Sequence, residues 1–293
     1  MDTLRTDVRH PGVPAPLLFV LGGASLYGGA ALAVLLFDRL SPAAVAWLRM
    51  LVAALVLVAW RRPTRSAWRG KRLVLAGCFG LATGLMNVAF YEAIARLPLG
   101  TAVAVEFCGP VAVAALGSRT RRDIGALLLA VIGVVLIADV QLASSPAGFG
   151  LALLAAALWA AYIVLGRRVA LGGSGLDDMA VGFTMAAVLL CPLAWGTGPA
   201  WNSPALLALA VGVGVLSTVL PYSLDQVVLR RIGPARFALL LALLPATAAV
   251  IGLVVLGQLP SLPETAGIGA TVAAVAAVAR RPWTTGSPAP GGG

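Results

Sequence analysis

The chain has 293 residues, of which 60% are hydrophobic and only 11% charged, with a formal net charge of +10. Soluble globular domains carry roughly 25% charged residues, so this composition excludes an ordinary soluble enzyme and points to an all-α polytopic membrane protein with lipid as its solvent. The cations fall in short bursts between apolar runs, where they meet lipid headgroups, and no nucleic-acid partner is expected.

Residues 1–15 form a polar tail that holds the single histidine, His10, for which no catalytic role is expected. The apolar run that follows is too long for the core of a cleavable signal peptide. Runs bounded by Pro, Gly and Arg then predict ten spans, at 16–37, 42–60, 73–95, 98–118, 123–140, 148–168, 178–196, 204–229, 235–256 and 264–279. Residues 281–293 read as a disordered second tail. Cys78, Cys108 and Cys191 lie inside apolar runs without CxxC spacing, so they are expected to be small core residues rather than a disulfide framework. No metal and no cofactor is expected.

With the N-terminus inside, eighteen of the 21 Lys and Arg residues fall in inside loops, Arg39 and Arg96 fall outside, and Arg49 lies within span two. That asymmetry predicts ten spans with both ends in the cytoplasm, because a miscounted span would mix the two sets of loops. Ten also divides into two fives. A shift of 135 residues pairs Pro110 with Pro245, Gly117 with Gly252 and Arg96 with Arg231, which suggests one repeat over 16–140 and a second over 147–280. Five being odd, the second copy enters the membrane in the opposite sense, the inverted duplication of many secondary transporters.

The polar residues inside spans carry the functional signal, since an ionisable group in hydrocarbon needs a partner, a proton or a wet cavity. Counting along the helices places Arg49 and Glu106 at one depth, and Ser25, Tyr27, Asn87, Trp159 and Tyr162 in the same slab. Two readings stand side by side: Arg49 and Glu106 neutralise each other as a packing pair, or Arg49 binds a substrate carboxylate while Glu106 takes an ammonium or a coupling proton. Loss of water and the charge of Arg49 act on the proton affinity of Glu106 in opposite senses.

Other features have plainer readings. Glu92 and Arg96 form an i,i+4 ion pair, Asp225 pairs with Arg230 or Arg231, and Asp177 and Asp178 cap the start of span seven. Gly80 and Gly84 permit close helix packing. Pro110, Pro221 and Pro245 break their spans and free backbone carbonyls.

The segment GLMNVAFYEAIARLPLGTAVAVEFCGPVAVAALGSR, with GGASL, WLRMLVAAL and LSTVLPYSLD, resembles the drug/metabolite transporter superfamily of two-EamA-repeat proteins, and most of all its threonine/homoserine exporter branch. The resemblance implies ten helices and efflux of amino acids or related metabolites across the bacterial inner membrane, driven by proton exchange. It also implies site roles for Asn87, Tyr91, Glu106 and Pro110 on spans three and four, and for Pro221, Tyr222 and Asp225 on span eight, where Asp225 replaces a Glu. Two positions depart from the branch: Leu244 and Gln258 stand where it carries Glu, so the carboxylates of the second half are expected to be missing and Glu106 leads as the proton or ammonium site.

An exporter needs no nucleotide motif, and no GxxxxGK is present. A membrane-embedded enzyme would need a second acid cluster or a nucleophile with a base, so no enzymatic activity is expected. A drug exporter of the same superfamily and a channel are the alternatives. The expected partners are a small molecule, protons and lipids, with the chain a monomer or a homodimer.

Overall fold

The computed structural model describes residues 14–117, 121–171, 175–221, 224, 228, 240–241 and 243–279. Among these the chain is helical, with no strand. In order, the helices are α1 (Ala15–Leu36), α2 (Pro42–Arg61), α3 (Gly70–Ile94), α4 (Leu99–Glu106), α5 (Cys108–Gly117), α6 (Arg121–Ser144), α7 (Pro146–Leu171), α8 (Gly175–Leu189), α9 (Gly198–Trp201), α10 (Pro204–Gly214), α11 (Leu243–Leu256) and α12 (Leu262–Ala279). A 3₁₀ turn, Cys191–Thr197, joins α8 to α9, and a π turn, Val215–Val219, continues α10.

Serine followed by proline opens three of these helices. The Oγ of Ser41, Ser145 and Ser203 accepts from the backbone N–H of Ala44, Gly148 and Leu206 at 3.3, 3.3 and 3.4 Å. The proline sits at the first helical position, where its missing N–H is not needed. α12 opens on a capping box instead: Glu264 N donates to Ser261 Oγ at 3.4 Å and Ser261 N donates to Glu264 Oε2 at 2.8 Å. Proline also ends a helix. Pro110 offers no N–H to the carbonyl of Glu106, four residues back, and α4 stops at Glu106.

Among the described residues four helices are long and apolar enough to cross a membrane, Leu17–Leu36, Pro42–Arg61, Gly70–Ile94 and Pro146–Gly166, and a fifth span forms if Asp177–Leu189 and Cys191–Trp201, bent by 68°, are taken together. Shorter apolar helices at Leu99–Val113, Ile124–Ile137, Pro204–Val219, Leu243–Leu256 and Leu262–Ala277 fall within the other runs expected to span. Large apolar side chains such as Leu55, Val74, Val131 and Val254 point outward, which water would not tolerate over so much surface and lipid does. The chain is a multi-pass membrane protein.

Small residues set the helix spacing. A Cβ on Gly80 would fall on the carbonyl of Gly182, so α3 and α8 touch backbone to backbone within the chain. Nothing lies within 4 Å of a Cβ on Gly150. Gly80→Ala is therefore expected to lower the melting temperature, overpacking costing about 1–3 kcal/mol, whereas Gly150→Ala should hold or slightly raise it through helix propensity. Equal melting temperatures of the two purified variants would contradict the close approach.

Asp177 and Asp178 lie in the first turn of α8 as expected, and their side chains also reach across to Arg61 (3.1 Å) and Arg72 (2.5 Å), tying α2 and α3 to α8. Two expectations need correction. Cys78 and Cys191 are exposed on the outer surface rather than in the core, and only Cys108 is half-buried. The second half does hold a buried carboxylate, Glu264, which accepts from Thr101 Oγ1 at 3.0 Å and from Ser261. Glu92 and Arg96 pair at 2.6 Å as the spacing predicts. Asp225, with Arg230 and Arg231, lies outside the described residues.

Candidate functional site

A cavity of about 340 Å³ lies at the centre of the helices. Tyr27 of α1, Arg49 of α2, Asn87 of α3, Glu106 of α4 and Trp159 of α7 line it, with Pro110, Tyr162 and Pro221. Leu26, Met86, Phe90, Phe107, Leu241 and Leu244 complete an apolar wall. Trp159 is fixed edge-on against Phe107, ring centroids 4.6 Å apart. An apolar groove of about 590 Å³ between α2 and α8 has no charged residue in its lining, so the central cavity is the one equipped to hold a polar ligand.

Arg49 is buried, and its position follows from a proline. Leu220 N–H donates five residues back to Val215 O, and Pro221 has no N–H. The carbonyl of Leu216 thus loses both of its usual helical donors, and that of Ser217 loses its α-helical one. Ser25 Oγ donates to Leu216 O at 2.8 Å, and Arg49 Nη2 donates to Ser217 O at 2.8 Å. Arg49 Nε donates to Thr218 Oγ1 at 2.9 Å and Nη1 to the Tyr91 hydroxyl at 3.5 Å, with the guanidinium 5.5 Å from the Tyr91 ring centroid. A guanidinium has five N–H donors, two on each terminal nitrogen. Three are engaged by the described residues, so among these each terminal nitrogen keeps one N–H to spare.

Glu106 is only 7% exposed. Its carboxylate makes no hydrogen bond and no ion pair within 4.0 Å among the described residues, Arg49 included. It ends α4, where the free carbonyls of a helix C-terminus favour a cation nearby. Asn87 donates from Nδ2 to Thr83 O at 2.7 Å and approaches Met50 Sδ at 3.6 Å.

The residues singled out in the sequence thus divide. Tyr27, Arg49, Asn87, Glu106, Trp159, Pro110 and Pro221 come together around the cavity. Tyr91 is fully buried behind Arg49, Ser25 is turned to the π turn, and Pro245 is buried near the start of α11. Tyr222 lies outside the described residues. No group of three or more His, Cys, Asp or Glu side chains that could hold a metal occurs among the described residues.

The profile of the EamA-like transporter family matches residues 146–280. The chain is 35% identical over 273 residues to the threonine/homoserine exporter RhtA of Escherichia coli (strain K12), covering 92% of each. It belongs to the EamA-like transporter family. RhtA of Salmonella typhimurium (strain SL1344) is 37% identical over 246 residues, 83% of each chain, so within the drug/metabolite transporter superfamily this EamA chain falls in the threonine/homoserine exporter branch. A solved crystal structure shares the fold, with a TM-score of 0.59 and 22% identity over 90% of this chain and 96% of that one.

Ser217 and Thr218, which hold Arg49, are not among the residues singled out in this EamA sequence. Their signal was a hydroxyl pair placed three and four residues before a proline inside a span. Gln258, which departs from the branch, has a structural part: its Oε1 accepts from Leu99 N at 2.8 Å at the first turn of α4. An amide supplies that acceptor as well as a carboxylate would, and Gln258 is not part of the cavity wall.

Proposed function

We propose that this protein is a secondary exporter of threonine- and homoserine-like amino acids in the bacterial inner membrane, working by proton antiport. The observation that carries the proposal is a small cavity holding an arginine with spare N–H groups and a buried carboxylate that makes no hydrogen bond or ion pair among the described residues. The substrate carboxylate binds the two free N–H groups of Arg49. Its ammonium binds Glu106, helped by the C-terminal end of α4. When the substrate leaves, a proton neutralises Glu106, so proton and amino acid compete for one site and exchange across the membrane as the cavity alternates its access. A drug exporter is less well supported, because about 340 Å³ lies at the small end of ligand pockets. Saturable counterflow of labelled threonine in proteoliposomes tests the reading; ohmic conductance without counterflow would make the protein a channel.

The same proposal takes the chain as ten spans in two inverted repeats. Exchanging the first five spans with the second five maps the α3–α7 contact onto α10–α1 and the α3–α8 contact onto α10–α2, while α2–α8, α4–α11 and α6–α12 map onto themselves. A Cβ on Gly133 would lie 2.9 Å from the carbonyl of Gly267, and one on Gly267 would lie 2.7 Å from that of Gly133. Corresponding helices that pack face to face, α6 against α12, support a two-fold relation between the halves.

Both termini and the loop from Arg61 to Arg72 then face the cytoplasm. With the native cysteines replaced, single cysteines at Arg65 and Gly198 are expected to label oppositely with an impermeant thiol reagent in intact cells. Labelling of both from outside would overturn the topology and the inverted repeat.

A further inference from the structure

We infer that Asn87 reads the side-chain hydroxyl of the transported amino acid, an assignment that rests on the exporter reading above. Asn87 is only 5% exposed and forms part of the cavity wall beside Arg49 and Glu106. Its amide has one orientation: Thr83 O, 2.7 Å from Nδ2, is a carbonyl that can only accept. Oδ1 is therefore the opposite, free end, and it has no hydrogen bond among the described residues. Every described side-chain N or O sealed away from open space has a partner, so Oδ1 opens onto the cavity. Its neighbours on α3 in that wall, Met86 and Phe90, offer no donor.

An acceptor in this position asks the ligand for a hydrogen. Of the groups on an amino acid, the carboxylate has none to give, and the ammonium is drawn to the full charge of Glu106, since charge-assisted bonds are the stronger ones. A side-chain hydroxyl is the donor that remains. A methyl in its place would leave Oδ1 desolvated and unpaired, and a site built to bond a hydroxyl rejects such an analogue far better than an apolar pocket does.

Threonine and valine differ by this exchange of hydroxyl for methyl at nearly constant shape. Competition against counterflow of labelled threonine in proteoliposomes is the test. For the wild type, valine is expected to compete about 10- to 100-fold more weakly than threonine. In Asn87→Leu the two should come within about threefold, threonine weakening and valine strengthening. Asn87→Ala gives the same readout should the leucine variant fail to insert. A variant that keeps the wild-type preference overturns the assignment, as does an equal loss for both amino acids, which would place the ammonium at Oδ1. A wild type that exchanges neither amino acid overturns the exporter reading itself.

Discussion

Glu106→Gln is expected to abolish proton-driven efflux while the protein still inserts and keeps its melting temperature. Glutamine has the shape of the protonated acid but can neither release a proton nor attract an ammonium by charge, so residual exchange should be slow and independent of pH. Efflux from proteoliposomes under an imposed pH gradient, compared with protein-free vesicles, measures the first part. The rival account, in which Glu106 neutralises Arg49 to stabilise the packing, predicts a lowered melting temperature. Geometry favours the first outcome: Arg49 is held by Ser217 O, Thr218 Oγ1 and the Tyr91 hydroxyl, none of which the substitution touches. A stable Glu106→Gln protein with unchanged pH-coupled efflux would eliminate the proton-site proposal.

Arg49→Lys is expected to weaken threonine binding strongly. Lysine keeps the charge, but its three ammonium donors cannot satisfy Ser217 O and Thr218 Oγ1 while also presenting a flat pair of N–H groups to a carboxylate. A hydrogen bond to a charged group contributes about 1.5–3 kcal/mol, so affinity should fall roughly 10- to 100-fold. Arg49→Leu goes further: it leaves the carbonyl of Ser217 buried without its donor, at about 1–3 kcal/mol, and should lower the melting temperature as well. Because Arg49 and Glu106 form no ion pair, Arg49→Leu/Glu106→Leu should not recover transport. Recovery in the double variant, or wild-type threonine affinity in Arg49→Lys, would return Arg49 to a purely structural role.

The helical spans were readable because apolar runs in this chain are punctuated by Ser-Pro, Gly and Arg. Counting residues along a helix of known rise placed Arg49, Asn87 and Glu106 in one slab, and the three line one cavity. What held Arg49 was not readable. Ser217 and Thr218 sit nearly 170 positions from Arg49 in sequence, and which helix their turn faces depends on how the helices pack. The Ser261–Glu264 capping box was present as S-x-x-E. The same pattern recurs by chance in polar loops, so the spacing alone does not show that Glu264 folds back as a buried carboxylate. Asp177 and Asp178 show the same limit: their place at a helix start was legible, but their reach to Arg61 and Arg72 depends on how α2, α3 and α8 meet.

In the proposed mechanism one carboxylate exchanges a proton for the ammonium of the substrate. Calorimetric titration of threonine into the purified protein near neutral pH, repeated in buffers of different ionisation enthalpy, measures protons released per molecule bound. Release is expected in the wild type and none in Glu106→Gln; threonine binding with no proton release in the wild type, or equal release in both proteins, would overturn the exchange at Glu106.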